Sequence, residues 1–161
     1  MRVIYHDLTE EMWVRLNMKP EEGDVIVSGS GKEKFCTGCF GCWLKTPGKC
    51  VIPDAFQCLG QKLAEANELI IISKCSFGSY SAQVKNMLDR SISYVSPFFV
   101  IRKGEMHHKP RYQNSLTVSA LFYGMDITEE EKETARTLVQ ANALNLNGKI
   151  GSVRFMEEAV W

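Results

Sequence analysis

Apolar residues along the chain fall into short unbroken runs and longer stretches at helical spacing, and the two kinds alternate. Residues 2–5 form a β-branched and aromatic run that predicts a strand, and Thr9 ahead of Glu10, Glu11, Met12, Trp13 and Leu16 predicts a short capped helix. Pro20 and Gly23 end that pattern before Val25, Ile26 and Val27, a second strand. Asp54 stands where a helix cap would, ahead of Phe56, Leu59, Leu63 and Ala66. Residues 68–73 then make an apolar run suited to a strand buried on both faces. A helix is expected over residues 81–92, with Val84, Leu88 and Ile92 on one face. A strand follows over 116–122, then a helix over 128–144 opened by Thr-Glu-Glu-Glu, and a last strand over 150–155. Such alternation predicts a five-stranded parallel sheet with helices on both faces, joined by right-handed crossovers. Two segments stand apart: residues 29–53, a long ordered loop rich in Gly, Lys, Cys and Pro, and residues 93–114, an irregular insertion expected to act as a flap or dimer contact.

At 161 residues the chain is the size of one domain, so a single α/β domain over 1–161 is expected. Nineteen basic residues balance nineteen acidic ones, so no overall field draws the protein to nucleic acid or to an anionic membrane. The longest apolar run, residues 69–72, is too short to span a bilayer, and the first residues lack the apolar core of a secretory signal. A cytoplasmic protein is expected, in which the six cysteines are thiols or metal ligands rather than disulfides.

Four of those cysteines crowd together, at Cys36, Cys39, Cys42 and Cys50, with three on one glycine-containing turn and the fourth after Pro47 and Gly48. An iron-sulfur cluster needs four thiolates converging on one small volume, and a close triplet with a remote fourth is a common way to supply them. Zinc is chemically open, although structural zinc sites usually draw on two separated Cys-x-x-Cys knuckles. A metal-free loop is equally open: Gly38 and Gly41 are then turn residues, Phe40 and Trp43 anchors, and the thiols small packed groups. Cys58 and Cys75 read as ordinary half-buried thiols.

Two segments carry a family resemblance. One is the run Cys36-Thr-Gly-Cys39-Phe-Gly-Cys42-Trp-Leu-Lys-Thr-Pro-Gly-Lys-Cys50-Val-Ile-Pro-Asp54; the other is Ser76-Phe77-Gly78-Ser79-Tyr80-Ser81-Ala82-Gln83-Val84-Lys85-Asn86-Met87-Leu88-Asp89-Arg90. Together they resemble the NAD(P)H-dependent FMN reductase and iron-sulfur flavoprotein branch of the flavodoxin-like superfamily. The resemblance implies an α/β three-layer sandwich with strand order 2-1-3-4-5. It also implies FMN as cofactor, with the flavin ring against Ser76, Phe77, Gly78, Ser79, Tyr80 and Ser81 and the phosphate at Asp7, Leu8 and Thr9. An iron-sulfur cluster at the four cysteines, NAD(P)H or a protein as electron donor, and a homodimer are further implications.

The match has a gap. Relatives follow the first strand with a glycine-containing phosphate loop, whereas this chain has His6-Asp7-Leu8-Thr9-Glu10-Glu11, with carboxylates where a dianion would be repelled. Weak FMN affinity is the expectation. Tyr123 and Gly124, after the strand at 116–122, fall at the carboxyl edge where open α/β sheets bind ligands, and are candidates for the flavin edge. His107 and His108 are expected in a solvated loop, and no nucleophile, base and orienter assemble from the sequence. Three functions follow: a flavin-dependent oxidoreductase of the FMN reductase type, an iron-sulfur electron-transfer protein, or a cofactor-free partner of an active relative.

Overall fold

The computed structural model describes residues 1–102 and 104–157. In chain order its elements are β1 (Arg2–His6), α1 (Glu10–Leu16), β2 (Val25–Ser28), α2 (Gly41–Leu44), α3 (Leu59–Ala64), β3 (Glu68–Lys74) and α4 (Ala82–Arg90). There follow β4 (Val95–Arg102), β5 (Glu105–Pro110), β6 (Thr117–Gly124), α5 (Glu129–Asn145) and β7 (Lys149–Glu157). Five strands form one sheet in the order β2-β1-β3-β6-β7, with every adjacent pair parallel. Counting only its own strands, that sheet has the flavodoxin-like order 2-1-3-4-5.

The central strands are apolar on both faces because both faces are covered. On one side Leu63, Val84, Met87, Val139 and Ala143, from α3, α4 and α5, pack against Val3, Tyr5, Leu69, Ile71, Val118 and Phe122. On the other, Ile4, Leu8, Ile72 and Tyr123 bury under Met12, Trp13 and Leu16 of α1. Burial of each large side chain contributes about 1.5–3 kcal/mol, which is what holds the layers together. Local signals set the helix starts. The Thr128 hydroxyl accepts from the Glu131 N–H at 3.2 Å while the Glu131 carboxylate accepts from the Thr128 N–H at 2.9 Å, a complete capping box.

Three expectations change. Asp54 does not cap a helix: α3 begins at Leu59, and the Asp54 carboxylate faces Arg90 of α4 instead. The segment expected to be irregular contains an antiparallel hairpin, β4 with β5, lying outside the main sheet. Its register shifts between Val95 and Phe99, so Pro97 sits at a bulge, where a missing N–H does least harm. The cysteine-rich loop is also not wholly irregular, since α2 makes one helical turn within it.

Candidate functional site

In a sheet of this order the ligand crevice lies outside the carboxyl ends of β1 and β3, where the connections part to opposite faces. Asp7 follows β1 there. Its carboxylate accepts from the backbone N–H of Lys74 at 3.1 and 3.2 Å and from the hydroxyl of Tyr123 at 3.0 Å, joining the ends of β1, β3 and β6. Leu8 is buried in the α1 core, and the Thr9 hydroxyl accepts from the Met12 N–H at 3.2 Å as the cap of α1. The three residues assigned to a cofactor phosphate are thus occupied with structure. A phosphate fits poorly among them, because the nearby Lys74 N–H and Tyr123 hydroxyl already donate to Asp7, and Asp7, Glu10 and Glu11 place carboxylates along the turn.

The loop after β3 is a tight turn. Ser76 and Ser79 exchange backbone hydrogen bonds at 2.9 Å, and the two residues between them, Phe77 and Gly78, have φ of 51° and 75°. Positive φ at both central positions is the pattern of a type I′ turn, comfortable for glycine and strained for Phe77. Phe77 is nonetheless 91% exposed at the tip. The close approach that requires Gly78 is to α5: a Cβ there would stand 2.7 Å from the Thr134 Cβ and 2.9 Å from the Glu131 carbonyl oxygen. Ser81 caps α4, accepting from the Val84 N–H at 3.3 Å, while its own N–H donates to the Ser73 hydroxyl at 2.9 Å. Tyr80 is buried, stacked on Phe122, with its phenol pushed up to about 12 by burial against a smaller opposing effect of Asn142. Ser76, Phe77 and Ser79 are the residues of this loop that remain open to a flat ring. Tyr123 is buried in the α1 core and Gly124 lies against Ile127.

The cysteine loop is anchored by α4. Asn86 accepts from the Cys36 N–H at 3.2 Å and donates to the Lys34 carbonyl at 3.3 Å. One turn on, the fully buried Arg90 uses all five of its N–H donors. Nε donates to Cys50 Sγ at 3.2 Å, one terminal nitrogen to the Lys34 carbonyl and Asp54, and the other to the Ile52 carbonyl and Asp54. Hydrogen bonding to the Arg90 guanidinium holds the Asp54 carboxyl below the usual carboxylate range. Trp43 Nε1 donates to the Val95 carbonyl at 3.0 Å, tying the loop to the hairpin.

Among the thiols, Cys50 is buried and Cys36 and Cys39 are exposed. The Gly41 N–H, then the Thr37 hydroxyl, pull the Cys39 thiol down, whereas burial pushes Cys42 up, with Cys50, Cys36 and Cys39 acting in the same direction. The four sulfurs therefore share one neighbourhood. Yet among the described residues no three Cys, His, Asp or Glu side chains are grouped so as to hold a metal ion. Cys36, Cys39 and Cys42 instead help line a cavity of about 540 Å³, together with Leu88 of α4, Leu138 of α5, and Ser79 and Tyr80.

The two histidines do not lie in a solvated loop: they are carried by β5, His107 buried and His108 half-buried. His107 is buried with Nδ1 3.0 Å from the Asn145 side-chain oxygen, and His108 sits between the rings of Trp43 and Phe99. The residues that sequence reading missed are Asn86 and Arg90. Their signal was present: two polar side chains four apart, sharing the buried face of α4 with Val84 and Met87.

The sheet order, the crevice at β1 and β3 and the tight loop after β3 define a flavodoxin-like α/β protein. The chain belongs to the NADPH-dependent FMN reductase family, whose model matches residues 21–141. An iron-sulfur flavoprotein of Methanocaldococcus jannaschii is 39% identical over 77 residues, which are 47% of this chain and 40% of that protein; the match spans less than half of the relative's length. Two crystal structures share the fold. One is described as a thermophilic tryptophan halogenase from Streptomycin violaceusniger, with TM-score 0.55 and 8% identity over 99% of this chain and 87% of that one. The other is an FMN-dependent NADH-azoreductase from Bacillus anthracis in complex with FMN, with TM-score 0.51 and 10% identity over 97% and 85%. At such identities the likeness is one of fold.

Proposed function

We propose that this protein is a flavin-dependent oxidoreductase of the FMN reductase type, taking electrons from a reduced nicotinamide. The observation that carries the reading is membership of the NADPH-dependent FMN reductase family over a span that includes the loop after β3. A bound flavin would carry one or two electrons between donor and acceptor, which asks no acid-base pair of the protein. The chain's own part is to seat the ring on Ser76 and Ser79 and to shield it with the exposed Phe77 and Met125 at the same edge. Purified protein mixed with flavin should develop bound-flavin absorbance that NADPH or NADH bleaches under anaerobic conditions. Colourless protein that takes up no flavin would refute the reading.

Two finer elements belong to the same proposal. A homodimer is supported by the hairpin, which exposes Phe98, Phe99, Ile101 and Met106 beside Leu44. A monomeric mass by light scattering at micromolar concentration would refute it. A cluster at Cys36, Cys39, Cys42 and Cys50 is supported by their shared neighbourhood and by the likeness to an iron-sulfur flavoprotein of Methanocaldococcus jannaschii. It requires the sulfurs to draw closer together than they stand, and iron and sulfide analysis after anaerobic purification tests it. No helix among the described residues is long and apolar enough to cross a membrane, and the free thiols support a reducing compartment.

A further inference from the structure

We infer that Asp7 sets the cofactor preference of this site: it supplies the anion of the switch-point crevice from within the chain, and so selects riboflavin, a flavin without a phosphate, over FMN. The inference rests on the flavin reading above. A phosphorylated flavin gains most of its end-group affinity from backbone N–H groups, hydroxyls and cations that meet the phosphate. At the ends of β3 and β6 those donors are the Lys74 N–H and the Tyr123 hydroxyl, and both already donate to the Asp7 carboxylate.

The connection from β1 to α1 offers few side-chain donors in their place. It is only Asp7, Leu8 and Thr9 long; Leu8 is in the core, Asp7 only accepts, and the Thr9 hydroxyl is held as the cap of α1 by accepting from the Met12 N–H. Glu10 and Glu11 open α1, so three carboxylates stand along the turn, with the ammonium of Lys74 nearby and the Arg15 guanidinium paired to Glu11 on the outer side of the helix's first turns. The ring end differs. Ser76, Phe77 and Ser79 stay accessible and carry no charge, so a neutral isoalloxazine and ribityl chain meet no comparable obstacle. The site discriminates by the end group alone. Each charge-assisted hydrogen bond that the phosphate fails to make is a loss of roughly tenfold to a hundredfold in affinity, before any repulsion.

The test is titration of the full chain with riboflavin and with FMN, followed by quenching of flavin fluorescence and by calorimetry. Riboflavin should bind as tightly as FMN or more tightly, and added salt should narrow any deficit of FMN, because screening weakens the repulsion. Asp7→Asn keeps an acceptor oxygen for Lys74 and Tyr123 while removing the charge. It should tighten FMN at least tenfold and change riboflavin by less than threefold. Wild-type protein preferring FMN by tenfold or more, or an FMN-to-riboflavin ratio unmoved in Asp7→Asn, would overturn the inference while leaving the flavin reading intact. Failure of both flavins to bind wild type and variant would instead bring down the flavin reading, and this inference with it. The wild-type ratio and its salt dependence need no variant, so the outcome does not hang on whether Asp7→Asn folds.

Discussion

Replacing Arg90 with alanine should release the cysteine loop from the body of the protein. The side chain is 1% exposed and bonds four segments of the loop, at Lys34, Cys50, Ile52 and Asp54, so its loss strands several partners at once. Removing one partner of a buried ion pair costs about 3–5 kcal/mol. Here the Asp54 side chain is 18% exposed and keeps N–H donors from Lys34 and Phe56, which favours the lower end, about 3 kcal/mol. The two carbonyls add little, because Lys34 keeps the Asn86 side-chain donor and Ile52 keeps the Asp54 N–H. A loss of about 3 kcal/mol is a large share of a domain stability of about 5–15 kcal/mol. Urea denaturation measures that loss, and reaction of native protein with a thiol reagent measures the loop: Cys50, buried in wild type, should become reactive at native conditions. Arg90→Lys keeps the charge but not the fork, so it should lose about half as much. A cost below about 1 kcal/mol, or a destabilised protein whose native-state thiol reactivity is unchanged, would refute this account of the loop.

Three further outcomes are expected. Asp54 and Asp24 are held below the usual carboxylate range by hydrogen bonds to Arg90 and Arg2. Their folded pKa values are depressed, so this stabilisation is complete above the ordinary value of about 3.9 and is lost as pH falls through the folded values; urea midpoints should drop below pH 4, less steeply in Asp54→Asn. Cys39, exposed and with its thiol pulled down, should be alkylated first near neutral pH and Cys42 later, which peptide mapping by mass spectrometry reads directly; equal rates would contradict the assignment. Gly78→Ala should cost about 2–4 kcal/mol, from a positive φ together with the contact on Thr134 and Glu131, and an unchanged denaturation midpoint would show that the turn can relax.

What the sequence by itself determined is whatever depends on neighbours along the chain. The apolar runs at β1, β3 and β6, the Thr128 capping box and the long α5 follow from residues a few positions apart, and their parallel arrangement follows from their alternation. The loop after β3 was legible as a motif for the same reason. The tertiary structure decided everything that turns on distant partners. Asp54 has the look of a helix cap, but its carboxylate meets a guanidinium 36 residues away as well as the Phe56 N–H, and α3 begins only at Leu59. His107 and His108 have loop-like neighbours in sequence, yet His107 is buried against Asn145 and His108 half-buried between Trp43 and Phe99, and the hairpin that carries them was hidden by Pro97 at its bulge. Asp7 marks the same boundary. Its charge could be read at once, but only the meeting of β1, β3 and β6 shows that its oxygens take the donors of the crevice, because those donors lie 67 and 116 residues further along the chain.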